Sequence, residues 1–436
     1  GGSLPAWLGM ASVSQQRRHV EILEQYRHSL TGDKDYLDDL LSLPQYVGSK
    51  LGELLQTYDV RPQDVYILPK LVLAGQRQNL VDYALNHVSQ QAAAFDVESA
   101  AAGLTPAVVR QILARLPLKQ DHQACLVEKL TPGKPGADVR EQRFIRQLPW
   151  QLLQNAHALR LQELLSPAGL SLVEQVLDMP DALARAAVKG ATSTVRPLEL
   201  IATAGARSIK ALGVYLISAV ESTPLVMYAP YGPQQAFQEF ENEADLIRRL
   251  NLPGPLQDWV IGRLPEAEQA TYRHLWASTV GGTSEITLGA NPIKGHALKQ
   301  LYRDNIGLIS NLFEQQSQAN GRSAWDTLKA LFSSGLQHAQ ALLPGKLMVP
   351  LVIWQSYKLF KASAEDLQQH RWREALQTFI GGVAQMTSIR ALMDEPPTPG
   401  AAPSPPAPTH TAKAWQDIDI TAQARTRLQA YEANDI

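Results

Sequence analysis

Apolar side chains recur every three or four residues through most of this chain, and only a helix gathers residues so spaced onto one face. Leu51, Leu54, Leu55 and Tyr58 recur in this way, as do Leu80, Val81, Ala84, Leu85 and Val88. Leu298, Leu301, Tyr302, Ile306, Ile309, Leu312 and Phe313 make a clear stripe, and Trp372, Ala375, Leu376, Phe379, Ile380 and Val383 another. Start and stop signals frame them. Ser12 followed by Gln15 reads as a capping box before a helix over 17–30, with Gly32 as its stop. A helical stretch over 36–58 is interrupted near Pro44. Thr105 caps a helix that Pro106 opens. A longer one over 141–165 breaks or kinks at Pro149 and ends at Ser166-Pro167-Ala168-Gly169. The next, 170–177, stops at Met179-Pro180.

The pattern changes between Val195 and Tyr231. Residues 198–203, 212–220 and 225–228 are short runs rich in Val, Ile, Leu and Tyr, bounded by Gly, Ser or Pro. Such runs read as two or three strands of a small sheet. The expected fold class is therefore mainly α with a small β-sheet insertion, in a multi-module helical protein. The modules expected are a helical one over 4–180, an α+β one over 181–290, and a helical one with an apolar hairpin over 291–394. Residues 395–413 form a Pro-rich linker, since proline removes backbone donors. Ile418, Ile420, Arg425, Arg427 and Leu428 then suggest order again, so 414–436 is read as the start of a further domain.

Composition excludes several function classes. An apolar fraction of 45% and a charged fraction of 19% let most of the chain bury a core. A net charge of −2 gives no electrostatic reason to expect a nucleic-acid partner. With Cys125 alone, neither an intramolecular disulfide nor a multi-cysteine zinc site can form. No apolar run approaches the ~18 residues of a conventional spanning helix. Gly1-Gly2-Ser3 does not read as a natural start, the first methionine is Met10, and no signal-peptide pattern is visible.

Several segments, in order, resemble one family. Leu4-Pro5-Ala6-Trp7-Leu8 with Ala11-Ser12 is similar to the opening of the dermonecrotic-toxin-like N-terminal domain of large bacterial toxins and effectors. So are Asp59-Val60-Arg61-Pro62-Gln63-Asp64-Val65 and Leu161-Gln162-Glu163-Leu164-Leu165-Ser166-Pro167-Ala168-Gly169. Leu225-Val226-Met227-Tyr228-Ala229-Pro230, followed by Phe237, Phe240 and Leu246, looks like that family's strand-then-helix block. Ile420-Thr421, Arg425-Thr426-Arg427-Leu428 and Tyr431-Glu432-Ala433-Asn434-Asp435 resemble the segment after its linker. The resemblance implies the N-terminal region of a secreted toxin, concerned with delivery, translocation or membrane engagement. It brings no catalytic residues to carry over. The implied partners are a host membrane or receptor and downstream domains of the same polypeptide.

The residues themselves offer few candidates for chemistry, and no cofactor is expected. Cys125 with His122 is the one close Cys/His pair, and Cys125 reads as a buried structural cysteine. The ten histidines lack zinc-binding spacing, and His87, His157, His296 and His370 read as surface or boundary residues. Gly281-Gly282-Thr283-Ser284 reads as a plain turn rather than an anion nest. Asp33, Asp35, Asp38 and Asp39 read as helix-start and solvent residues. The segment 328–383 carries two readings side by side. Leu347, Val349, Leu351, Val352, Ile353 and Trp354 form an apolar run with Lys346 and Lys358 outside it. It is either a membrane-active hairpin or a buried core hairpin, the run itself being only about eight residues, short of the ~20 needed to span. A toxin enzyme with an unrecognised site, and a spacer for downstream effector domains, are the alternative functions.

Overall fold

The computed structural model describes residues 5–30, 34–70, 76–87, 94–116, 119–186, 192–219, 223–279, 281–314, 325–326 and 328–332. In chain order the helices are α1 (Ala6–Gly9), α2 (Val13–Ser29), α3 (Leu43–Leu54), α4 (Leu80–His87), α5 (Pro106–Ala114), α6 (Lys119–Leu130), α7 (Pro135–Leu161), α8 (Pro167–Asp178), α9 (Ala182–Ala186), α10 (Glu243–Leu250), α11 (Pro255–Arg263), α12 (Glu266–Ala277) and α13 (Ala297–Glu314). The strands are β1 (Tyr66–Pro69), β2 (Gln78–Asn79), β3 (Phe95–Glu98), β4 (Ser193–Ile201), β5 (Ile209–Ala219), β6 (Leu225–Tyr228), β7 (Phe237–Phe240) and β8 (Thr287–Leu288). The described residues are mainly α with two antiparallel sheets, ordered β2-β1-β3 and β7-β6-β5-β4-β8. Its described residues group into two compact units. One holds those up to Tyr36, Val139–Leu308 and those from Lys329; the other holds those of Leu37–Asp138 and Ile309–Leu328.

In the smaller unit, α3 begins where a break near Pro44 was expected. Ser42 Oγ accepts from the Gln45 backbone N–H at 3.4 Å, and the Gln45 side chain accepts from Ser42 N–H at 3.0 Å. This reciprocal cap starts a helix with Pro44 in its first turn, where the missing N–H costs nothing. Leu51 and Leu55 then meet Val65, Ile67, Leu80, Phe95 and Val109 in one core. The three-stranded sheet was not anticipated. Its strands have two to four residues, too few for a period to show.

The larger unit is built on the five-stranded sheet. Three of its strands fall where the apolar runs placed them. Leu198, Leu200, Leu216, Leu225 and Met227 pack with Leu246, Leu250, Val260, Ile261, Tyr272 and Trp276 of α10–α12. On the other face Val195, Tyr215, Ile217, Tyr228 and Phe237 meet Leu152, Val173, Val176, Leu298 and Leu301 of α7, α8 and α13. Burial on both faces removes the need for polar residues at alternate positions, so β6 is buried throughout. Phe237 and Phe240, expected within a strand-then-helix block, form the added edge strand β7, and β8 adds two residues at the opposite edge. α7 runs through Pro149 as one helix, with Leu148, Trp150, Leu152 and Leu153 buried around it. Ser166 and Pro167, expected to close a helix, instead cap and open α8, the Ser166 hydroxyl accepting from Gly169 N–H at 3.0 Å.

β4 and β5 slip register between Pro197 and Glu199. Pro197 faces Tyr215 while Glu199 faces Lys210, so β5 spends extra residues there. Gly213 makes the slip feasible at φ +78°, and a Cβ at this position would stand 2.7 Å from a Leu308 methyl. Gly213→Ala should therefore lower stability by about 1–3 kcal/mol. Gly52→Ala, in an open stretch of α3, should raise it by about 0.5–1 kcal/mol. Paired denaturant titrations of the two variants would show this opposite sign; an equal effect would remove the steric account of the slip.

Candidate functional site

The slip in β5 has a chemical consequence. Lys210 and Tyr215 are five positions apart and would sit on opposite faces of a regular strand. With the extra residues between them, both reach Asp304 of α13. Lys210 Nζ donates to Oδ1 at 2.8 Å and the Tyr215 hydroxyl donates to Oδ2 at 2.8 Å. Gln300, one turn earlier, donates to Oδ1 at 2.9 Å. The Asp304 side chain is 6% exposed and that of Lys210 34%, so the pair straddles the surface. Burial, and then the Asp304 charge, hold the Tyr215 hydroxyl well above its ordinary pKa, and it stays a donor. The adjacent Asn305 donates to the Tyr36 hydroxyl at 2.6 Å and accepts from the Tyr231 hydroxyl.

Beside Asp304 lies a cavity of about 500 Å³, walled by β4, β5, the segment Asn291–His296 and the first turns of α13. Lys210, Lys294, Lys299 and Arg303 line it against the carboxylates of Glu199 and Asp304. Glu199 is already committed: the Ser208 hydroxyl donates to it at 3.0 Å and the Asn291 amide at 3.3 Å. His296 shapes the helix start, its Nδ1 accepting from Lys299 N–H at 3.3 Å.

A second polar centre joins α2 to α7. His19 and His157 are buried with their rings stacked 5.2 Å apart and their Nδ1 atoms at 3.0 Å. One Nδ1 must donate and the other accept, so at least one ring is neutral. Trp7 stands edge-on to His19 at 5.2 Å. Burial, followed by the charges of His19, Arg18 and Arg160, lowers the His157 pKa to about 3. The Arg18 guanidinium is itself tied to Glu174 at 2.6 Å.

Of the residues singled out from the sequence, His157 lies in the histidine pair and His296 at the cavity wall, and the other described ones fall elsewhere. Cys125 is half-buried rather than fully buried. His122 is buried and donates through Nε2 to the Leu41 carbonyl at 2.8 Å, with Tyr46 packed 5.1 Å from its ring. His157 and His296 are buried, not at the surface, because the stacked histidine in one case and the α13 cap in the other give each a polar partner inside. His370, Asp33 and the run Leu347, Val349, Leu351, Val352, Ile353 and Trp354 lie outside the described residues, and of the His87 side chain nothing is described. Asp35 is a correction: it is buried and paired with Lys329 at 3.5 Å, just before a turn rather than at a helix start. Gly281 and Gly282 form a turn at positive φ, held by Asn251, which donates to the Gly282 carbonyl at 3.2 Å and accepts from Ser284 at 2.6 Å. Among the described residues no group of three or more His, Cys, Asp or Glu is placed to hold a metal.

Compared with known proteins, the chain matches the family model described as dermonecrotic toxin, N-terminal domain, over residues 54–278. That span is just over half of the 436 residues. It includes Asp59–Val65, Leu161–Gly169 and Leu225–Pro230 with Phe237, Phe240 and Leu246, whereas the opening and closing segments lie beyond it. No curated protein and no solved structure matches the chain.

Two measurements follow from this geometry. Asp304→Ala leaves Lys210 and the Tyr215 hydroxyl without their shared acceptor and should cost about 3 kcal/mol, while Tyr215→Phe should cost about 1 kcal/mol. Equal, negligible losses in denaturant would mean that the cluster does not hold α13. The His157 pKa lies below its unfolded value of 6.5, so the unfolded chain binds the extra proton. The contribution is whole above pH 6.5 and is lost as pH falls toward about 3. The slope should be about 1.4 kcal/mol per pH unit for one proton. His157→Phe should flatten the stability profile by that amount between neutral and mildly acid pH; parallel profiles would reject the assignment.

Proposed function

The chain belongs to the dermonecrotic toxin N-terminal domain family, and from that membership we propose that it is the non-catalytic N-terminal region of a secreted bacterial toxin or effector, acting in delivery, translocation or membrane engagement. The match over 54–278 is the observation that carries this reading. A binding role is further supported by how the titratable groups are used. Asp304 ties α13 to β5, and the histidine pair ties α2 to α7. Arg185 is buried and donates to the Ser193 carbonyl at 2.9 Å and the Met179 carbonyl at 2.6 Å. Each group spends its charge or polarity on holding the fold.

No helix among the described residues is long and apolar enough to cross a membrane. The segment assigned to lipid contact lies outside them and comprises Leu347, Val349, Leu351, Val352, Ile353 and Trp354. It is apolar on all sides, Lys346, Lys358 and Lys361 flank it, and Trp354 and Tyr357 suit a membrane interface. Glu365, Asp366 and Glu374 lie nearby in sequence, and their protonation removes charges that oppose insertion. In this reading a host membrane or receptor is the partner.

The test is vesicle binding and dye release by the whole chain at neutral and acid pH, beside Val352→Asp. Release by the native chain that the charged substitution abolishes is the expected outcome. Absence of binding at both pH values, or an unchanged variant, makes the segment an ordinary core hairpin and favours the spacer role.

A further inference from the structure

We propose that the cavity between β4, β5 and the start of α13 is a binding site for a phosphate monoester. Among the described residues four cationic side chains and two carboxylates line it, a net charge of two positive with His296, whose Nδ1 accepts a hydrogen bond, neutral. The chain as a whole is slightly acidic, so this excess is local. Both carboxylates are already satisfied: Glu199 by Ser208 and Asn291, Asp304 by Lys210, Tyr215 and Gln300. Lys294 and Arg303, in contrast, are exposed at the cavity and have no ion pair among the described residues. A phosphate monoester carries a charge of about −1.5 to −2 at neutral pH, which matches the surplus.

The lining also narrows the ligand. Lys210, Lys294 and Lys299 are compact point charges that suit phosphate oxygens, and Arg303 adds a planar fork that can take two of them. The volume of about 500 Å³ admits a small organic molecule rather than a bare ion alone. Pro197 and Ile293 supply a limited apolar wall for its carbon frame. Among the described residues none that lines the cavity is Phe, Tyr or Trp, so they offer no platform on which to stack a nucleobase. α13 adds the positive end of an 18-residue helix dipole. Its N–H groups contribute less directly, since Ala297 N–H goes to the Pro180 carbonyl at 2.9 Å and Lys299 N–H to His296. The ester is therefore held by side chains, with Lys299 and Lys210 deeper and Lys294 and Arg303 at the mouth.

The same chemistry occurs in a soluble sugar or glycerol phosphate and at the head of a monophosphorylated lipid. The inference does not rest on the delivery reading, and vesicle leakage can fail while the site still binds. The experiment is calorimetric titration of the full chain with inorganic phosphate and with glycerol 3-phosphate. Co-sedimentation with phosphatidylcholine vesicles, with and without phosphatidic acid, accompanies it. The variants are the double Lys294→Ala/Arg303→Ala and, as a control in the smaller unit, Lys50→Ala. The expected result is saturable binding of a phosphate ester that weakens at least tenfold in the double variant, whose unliganded melting point stays at the native value. Lys50→Ala should bind as the native chain does. Binding of glycerol 3-phosphate identifies a soluble ester as sufficient; binding confined to phosphatidic acid vesicles, and lost in the double variant, identifies the lipid headgroup. Absence of saturable binding in every arm, or binding that the double variant retains, overturns the proposal.

Discussion

A carboxylate brought to 6% exposure beside an apolar sheet must find donors within its own fold, and Asp304 finds three. Much of the larger unit follows from that requirement. Lys210 and Tyr215 reach one carboxylate only because β5 slips register, and the slip needs a residue at positive φ lying against Leu308, which Gly213 alone provides without a Cβ. With Asp304 held, α13 lies along the sheet face that carries Tyr215 and Ile217, and its first turns close the wall of the charged cavity. Asn305, the next residue, ties the same helix to Tyr36 and Tyr231. Asp304 and Asn305 thus add directional ties to a helix whose apolar face packs on the sheet.

Apolar pattern predicted elements where burial is one-sided along a helix or complete within a strand. The stripe Leu298–Ile309 became the inner face of α13, and the runs at 198–203, 212–220 and 225–228 became the core of the larger sheet. Short elements escaped. β2 and β8 have two residues each, and such strands exist because a neighbour pairs with them, not because their own residues prefer to be extended. Proline misled at Pro44, which was read as an interruption and opens a helix because Ser42 and Gln45 cap it; at Pro149, read as a break or kink, the helix does not break.

The candidate site was far less legible. Asp304 meets Lys210 across 94 residues and His19 meets His157 across 138, and no local spacing encodes either contact. One signal was available. Asn305 lies three residues after Tyr302 and four before Ile309, at a position where an apolar residue would continue the stripe. A polar residue on the buried face of a helix must have a partner inside, and here it has two tyrosines. The same reasoning corrects Asp35, whose acidic neighbours suggested solvent but whose own charge is buried against Lys329.

The histidine pair and the charged cavity belong to the same unit, and their effects on it have opposite sign. Acid supplies protons that the unfolded chain accepts and His157 resists, so falling pH draws the equilibrium away from the contact between α2 and α7. An anion bound only by the folded unit draws it back, by an amount that grows with the logarithm of its concentration above the dissociation constant. Neither effect requires contact between the two places, because both act on the population of one folded state. Wherever such an ester is bound, the unit tolerates a lower pH than it does alone.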